Sequence, residues 1–91
     1  METAIITTKH ERQVVFLDNG SFLVENIYSD VSTEFMYFAG LLDLDIRFKS
    51  NSVYRYKNVP LIIAYGLMAS ESAGEFYNKN IRNTYEWERL R

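Results

Sequence analysis

From residue 53 to residue 70 the chain reads VYRYKNVPLIIAYGLMAS. The first four residues alternate, so Tyr54 and Tyr56 share one face of a β-strand, while Val53 and Arg55 lie on the other. The only proline, Pro60, suits the first turn of a helix, where its missing N–H costs nothing. The stretch therefore predicts a strand followed directly by a short helix, as in an α+β domain.

The helix predicted over residues 60–70 has its apolar residues near one stripe, which predicts packing onto a sheet. These residues are Ile63, Leu67 and Met68. Gly66 weakens such a helix by about 1 kcal/mol relative to alanine, so we expect a close contact with the sheet there. Residues 75–83 predict a second short helix or helical turn, which Phe76 and Ile81 anchor inward.

The segment before this stretch predicts further strands. Residues 42–48, LDLDIRF, alternate strictly and predict a half-buried antiparallel strand. Its inward residues are Leu42, Leu44, Ile46 and Phe48. Residues 35–39 predict a short buried strand, although a helical turn opened by Ser32 or Thr33 is an alternative reading of the same residues.

The N-terminal part of the chain predicts a β-hairpin. Residues 13–17 and 21–25 are rich in β-forming side chains and flank Asn19-Gly20, a pair that tolerates positive φ. We expect a strand near residues 5–8 and an extension of the hairpin through Ile27 and Tyr28. Residues 29–34 are turn-like, and residues 85–91 predict a last strand or an extended arm. Together these elements predict an antiparallel sheet of about four to five strands, with one or two short helices on one face.

Length and composition predict one domain. The 91 residues suffice for a single modest core, and a chain of this size is expected to self-associate as a homo-oligomer. The absence of cysteine, of a signal-peptide pattern and of a membrane-length apolar run predicts a cytoplasmic protein without a membrane partner. Residues 1–45 hold two Lys/Arg against eight Asp/Glu, and residues 46–91 hold eight against four. This asymmetry suits either an anionic ligand on the C-terminal half or head-to-tail association, but ordinary solvated surfaces would give it too.

The sequence does not favour catalysis, and we expect neither a cofactor nor a metal. The single histidine, His10, lies in a polar stretch with no companion for a metal site or a nucleophile relay. Asp43 and Asp45 share a strand face and could hold a cation, but alternating charges on a strand are far more often a solvated surface. We therefore predict a protein that is not an enzyme.

Tyrosine, asparagine and arginine side chains of the C-terminal half form a candidate ligand-binding surface. They are Tyr54, Arg55, Tyr56, Asn78, Asn80, Arg82 and Tyr85. Tyrosine rings can stack on nucleobases, a guanidinium binds phosphate, and amides orient a base or a phosphate. Structural roles compete with each of these: the tyrosines can complete the core, the asparagines can cap or turn the chain, and Arg82 can pair with Glu86.

These residues also carry a family resemblance. The matching positions are LDIRF at 44–48, VYRY at 53–56, Val59-Pro60 and Ser72-x-Gly74-x-Phe76-Tyr77-Asn78-x-Asn80-Ile81-Arg82-x-x-Tyr85. In this order they resemble the KTSC domain, a small module named for its place at the C-terminus of some lysyl-tRNA synthetases and also found free-standing in bacteria and their viruses. The resemblance covers about residues 35–90, so residues 1–34 form an N-terminal hairpin addition within the single domain of residues 1–91. It implies an RNA-binding role without an established activity.

Two functions follow as hypotheses. The first is a non-enzymatic binding module for a nucleotide-type anionic ligand, either a small signalling nucleotide or single-stranded RNA. A phage protein that sequesters nucleotides and so counters host defence is one form of it. The second is an oligomeric interaction or inhibitor protein, viral in origin, which occludes a partner protein. Its motivation is the acidic N-terminal half, the added hairpin and the aromatic tail around Trp87.

Overall fold

The computed structural model describes residues 4–25 and 32–91. Seven strands form one antiparallel sheet in chain order, and two helices follow the sixth strand. The strands are β1 (Ala4–Thr7), β2 (Gln13–Phe16), β3 (Phe22–Glu25), β4 (Ser32–Phe38), β5 (Asp43–Phe48), β6 (Val53–Tyr56) and β7 (Trp87–Arg89). The helices are α1 (Leu61–Ala69) and α2 (Ala73–Asn80). The predicted α+β architecture is confirmed, but the prediction of four to five strands is wrong because both edges of the sheet carry a further strand.

The predicted N-terminal hairpin is present. Strands β2 and β3 pair from Gln13 opposite Glu25 to Phe16 opposite Phe22. In the connecting turn Gly20 has φ +86°, a conformation that glycine adopts without steric cost. The Asn19 side chain accepts a hydrogen bond from the Ser21 N–H at 2.9 Å, which closes the turn locally. The strand expected near residues 5–8 is β1, which forms the outer edge of the sheet.

Strand β4 decides between the two readings of residues 35–39. They are strand, and the helical alternative is wrong. The strand begins already at Ser32, so the turn predicted over residues 29–34 is wrong for residues 32–34; an irregular register between Ser32 and Glu34 marks its start. Ile27, Tyr28 and residues 29–31 lie outside the described residues. Strand β5 is confirmed, although Leu42 belongs to the preceding turn, with φ 57° and an exposed side chain, and does not face the core as predicted.

Both helices pack on the same face of the sheet. Alternate residues of β2 to β6 bury their side chains there, together with Ala64 and Leu67 of α1 and Tyr77 of α2. Gly66 does not pack against the sheet as predicted. A Cβ at Gly66 would lie 2.5 Å from Cζ of Phe76, so the glycine permits close contact between the two helices. Ser72 caps α2 by accepting a hydrogen bond from the Glu75 N–H.

A buried arginine joins the N-terminal strands to the first helix. Arg12, at the start of β2, is only 5% exposed. One of its guanidinium nitrogens donates to the carbonyl oxygens of Met68 and Ser70, at 2.8 and 2.6 Å. These carbonyls lie at the C-terminal end of α1, where the helix leaves acceptors unpaired and carries partial negative charge. Burial lowers the pKa of Arg12, and within residues 4–25 and 32–91 its guanidinium donates to carbonyl oxygens and forms no ion pair.

Neither α1 nor α2 nor any other helix in residues 4–25 and 32–91 has the length and apolar character that a membrane crossing requires.

We expect Arg12→Met to lower the free energy of unfolding by about 2–3 kcal/mol, because hydrogen bonds from a charged group contribute about 1.5–3 kcal/mol and the helix carbonyls lose their donor. Methionine keeps the apolar stem, so the change isolates the polar contacts. Urea denaturation followed by circular dichroism measures the loss. Arg47→Met, which removes a partly exposed arginine paired with Glu34 at 3.5 Å, serves as the control and should cost less than about 1 kcal/mol. Equal losses in the two variants would contradict the role assigned to Arg12.

Candidate functional site

A cavity of about 560 Å³ opens between the last strands of the sheet and α2. Small-molecule sites in proteins span about 300–1,000 Å³, so it is large enough for a mononucleotide-sized ligand. Aromatic and polar side chains line it in equal number. The aromatic ones are Phe48, Tyr54, Tyr56, Tyr77 and Trp87. The polar ones are Ser50, Ser52, Asn78, Arg82 and Asn83. We refer to this cavity as the aromatic hollow.

The inner wall of the aromatic hollow is a pair of tyrosines. The hydroxyl groups of Tyr56 on β6 and Tyr77 on α2 share a hydrogen bond, and both residues are buried. Burial, followed by the Tyr77 hydroxyl, raises the pKa of Tyr56. The Phe48 ring meets Tyr77 edge-on, with centroids 5.6 Å apart. Tyr56 therefore has the structural role that the sequence left as the alternative to base stacking. Its ring completes the core, and only its polar edge lines the hollow.

Tyr54 and Trp87 form the outer aromatic wall. Their rings are 5.1 Å apart on neighbouring strands, and Trp87 is 55% exposed. The guanidinium of Arg89 lies over the Tyr54 ring at 6.0 Å and donates to the Ser52 hydroxyl at 3.1 Å. The two rings are tilted by 49° to each other, so the exposed indole of Trp87 offers the flat apolar face that base stacking requires.

Arg82 supplies the positive charge of the aromatic hollow. It lies just beyond α2, where the buried side chain of Ile81 fixes the chain. Its charge is close enough to Tyr56 to oppose the rise in that phenol's pKa. Within the part of the chain that the structure describes, Arg82 makes no ion pair, and the alternative pairing with Glu86 does not occur. Asn78 and Asn83, both exposed, stand on either side of it in the sequence and line the same hollow.

The structure thus brings together four of the seven predicted site residues: Tyr54, Tyr56, Asn78 and Arg82. Arg55 does not join them, because it lies on the opposite face of β6. There it binds Asp45 through two hydrogen bonds of 2.8 and 2.9 Å and lies 3.7 Å from Asp43.

The other two predicted residues also lie outside the aromatic hollow. Asn80 donates its amide to the Phe76 carbonyl one helical turn earlier, at 3.2 Å, which is a local helix contact. Tyr85 is half-buried against the core and lines a neighbouring, more open hollow of about 540 Å³ formed by residues 82–87. We call this second cavity the loop hollow.

Sequence reasoning did not assign several lining residues. Phe48 was predicted as an inward strand residue, and the exposed Trp87 as an interface residue of the tail. Their place in the hollow follows from strand pairing: Tyr56 stands opposite Trp87, and Tyr54 opposite Arg89. Ser50, Ser52 and Asn83 are ordinary turn residues, and no sequence signal distinguishes them from other turns.

The candidate cation site at Asp43 and Asp45 is occupied by Arg55, which binds Asp45 closely and lies 3.7 Å from Asp43. Among residues 4–25 and 32–91, no group of three or more histidine, aspartate or glutamate side chains is arranged to hold a metal ion. The two carboxylates therefore form ion pairs with Arg55 on the face of the sheet opposite the helices.

The comparisons with known proteins identify the family of the chain and support its fold. Residues 29–85, which include strands β4 to β6 and both helices, match the model of the KTSC domain family. The chain belongs to the KTSC domain family. The crystal structure of a KTSC domain protein from Yersinia pestis superposes with a TM-score of 0.69 at 22% sequence identity, over 71% of this chain and 92% of that one. A comparison with curated proteins finds no match. This KTSC domain carries β1, β2 and β3 ahead of the family match, with Arg12 fastening them to α1.

The buried tyrosines predict a loss of stability at alkaline pH. Burial raises the pKa of Tyr37, and burial with the Tyr77 hydroxyl raises that of Tyr56. The unfolded chain releases these protons near pH 10, before the folded protein does. The contribution to stability is therefore complete below about pH 10 and is lost as the pH rises through the raised values. Urea denaturation at a series of pH values between 9 and 12 measures this decline.

Tyr56→Phe removes one of the two buried phenols. Between pH 9 and 12 the free energy of unfolding of this variant should fall less steeply than that of the unchanged protein. Parallel slopes would show that the Tyr56 hydroxyl ionises alike in the folded and unfolded chains.

Proposed function

We propose that this KTSC domain is a non-enzymatic binding module for a nucleotide-type anionic ligand, which it binds in the aromatic hollow. The observation that carries the proposal is the guanidinium of Arg82, which forms no ion pair within residues 4–25 and 32–91 and lies beside the exposed indole of Trp87. Among the ten residues that line the hollow none is acidic, and one, Arg82, is basic. Such a lining attracts an anion that also has an apolar ring, and a nucleotide combines the two.

Each part of the ligand has a matching group. The base stacks on the wall formed by Trp87 and Tyr54, a contact that contributes about 1–3 kcal/mol per base in other proteins. The phosphate pairs with Arg82, and the exposed amides of Asn78 and Asn83 orient it or the sugar. This differs from the surface expected from the sequence, since Trp87 and Asn83 replace Arg55 and Asn80.

A single basic residue in the lining supports a small nucleotide or a short single-stranded segment over a long nucleic acid. Binding of long RNA depends on many phosphate contacts and weakens steeply with salt. One arginine predicts a shallow dependence. The chain has no cysteine, which suits action in a reducing cytoplasm. Sequestration of a nucleotide, including by a phage protein that lowers the concentration of a host signal, requires only this kind of binding.

Calorimetry with AMP and with octaadenylate tests the proposal. We expect heat from at least one of them, and a loss of about 10–100-fold in affinity for Arg82→Ala, because a charge-assisted hydrogen bond contributes about 1.5–3 kcal/mol. Trp87→Ala should weaken binding about tenfold or more through lost stacking. Arg47→Ala, on the opposite face of the sheet, is the matched control and should leave the affinity unchanged. Absence of heat from both ligands, with protein that circular dichroism shows to be folded, would refute the proposal.

A second candidate function is self-association or capture of a partner protein through α1, and the composition of that helix favours it. All nine residues of α1 are uncharged. Leu61 and Ile62 are exposed, Ile62 to 73%, and Tyr65 is partly exposed while its ring packs on the buried Phe22 at 5.4 Å. Surface helices of monomers ordinarily carry charged residues on their outer face, and an apolar outer face is typical of interaction surfaces.

For this candidate we expect a concentration-dependent dimer in size-exclusion chromatography with light scattering, and a monomer for Ile62→Glu. Ile5→Glu introduces the same charge at an exposed isoleucine of the edge strand β1 and should leave the dimer intact. A monomer at every concentration, or dissociation by Ile5→Glu in place of Ile62→Glu, would contradict an interface on α1.

A further inference from the structure

The aromatic hollow and the loop hollow share a wall. Arg82, Asn83 and Trp87 line both of them. Arg82 is the only cation among the described residues that line either cavity, and it stands at their boundary, next to an indole that both cavities reach. The loop hollow is also lined by Tyr85, which is half-buried against the core, and by Glu86.

The charges decide what can occupy each position. A phosphate is favoured at the boundary, where Arg82 lies. It is disfavoured in the loop hollow, because Glu86 would repel a second negative charge there. Arg89 also lies beside the aromatic hollow, but its guanidinium is already held over the Tyr54 ring and on the Ser52 hydroxyl. Both hollows are therefore suited to uncharged groups, and each presents an aromatic ring: Tyr54 in the first, Tyr85 in the second, and Trp87 in both.

We infer that the ligand of this site is a dinucleotide unit: two bases, one in each hollow, joined through a single phosphodiester that binds Arg82 at the shared wall. The inference rests on the proposed function, and it specifies which nucleotides the site selects. It also gives Tyr85, which does not line the aromatic hollow, a role in stacking on the second base. The same unit occurs in a free dinucleotide and in single-stranded RNA, which share this chemistry.

The inference excludes polyphosphates as preferred ligands. The triphosphate of ATP would have to extend beyond Arg82, either into a hollow without a further lining cation or toward Glu86. Magnesium would lower the charge of the triphosphate through the phosphates and water alone, so the comparison with ATP is made without magnesium. A dinucleotide with one negative charge places a neutral base where ATP would place phosphate.

Calorimetry with three probes, AMP, ATP and adenylyl-3′,5′-adenosine, tests the inference at one salt concentration. Adenylyl-adenosine carries less negative charge than AMP, so pairing with Arg82 alone would make it the weaker ligand. We expect it to bind at least about tenfold more tightly than AMP, since stacking of a second base contributes about 1–3 kcal/mol. ATP should bind no more tightly than AMP.

Two variants separate the hollows. Tyr85→Leu keeps apolar volume against the core but removes the ring from the loop hollow, so it should reduce the affinity for adenylyl-adenosine toward that for AMP and leave AMP binding within about twofold. Glu86→Gln removes the repelling carboxylate and should tighten ATP binding severalfold, with little effect on AMP. The second variant keeps the test decisive if the first does not fold.

The outcomes distinguish this inference from the proposed function. Adenylyl-adenosine binding no tighter than AMP, or equal losses for both ligands in Tyr85→Leu, would overturn the dinucleotide while nucleotide binding stands. No heat from AMP, adenylyl-adenosine or octaadenylate would overturn both. Octaadenylate contains several overlapping dinucleotides, which by number alone raise its affinity above that of adenylyl-adenosine. An affinity higher than this statistical increase, with a steeper salt dependence, identifies RNA as the source of the unit. If the affinity for octaadenylate, divided by the statistical increase, equals the affinity for adenylyl-adenosine, the ligand is identified as a free dinucleotide.

Discussion

The hydrogen bond between the hydroxyls of Tyr56 and Tyr77 holds the second helix to the sheet and sets the position of the candidate site. It joins the end of β6 to the middle of α2, two elements that the whole of α1 separates in sequence. Two buried hydroxyl groups would be costly without partners, and here each satisfies the other. Because Tyr77 and the fully buried Ile81 fix this part of the chain, Asn78 and Arg82 are carried to the opening of the aromatic hollow.

Local patterns in the sequence predicted most of the fold. Strict alternation in residues 42–48 and 53–56 gave strands with the correct inward faces, apart from Leu42, whose positive φ turns it out of the strand. Pro60 marked the beginning of α1, and Asn19-Gly20 marked the hairpin. The strand number was underestimated because the edge strands lack a strong pattern: β1 is exposed along its whole length, and β7 is three residues with two charges. Their pairing depends on partners that a local reading cannot see.

The candidate site was predicted in part, and its errors have physical causes. The alternation that places Tyr54 and Tyr56 together also places Arg55 on the far face, where two aspartates bind it. Asn80 sits one helical turn after Phe76 and bonds to its carbonyl, as short polar side chains in helices often do. Trp87 enters the hollow only because β7 pairs with β6, a long-range contact. Residue type identified the chemistry, whereas the choice of members depended on strand pairing.

The arrangement of strands in chain order places the strands ahead of the family match and the candidate site at opposite edges of the sheet. The three strands that precede the family match lengthen the sheet at the β1 edge, and the candidate site occupies the opposite edge at β6 and β7. Two strands, β4 and β5, lie between the leading strands and β6, whereas Arg12 connects the start of β2 directly to the end of α1. Substitutions on the exposed strand β1 are therefore remote from the candidate site, but a change at Arg12 reaches the helical layer that borders it.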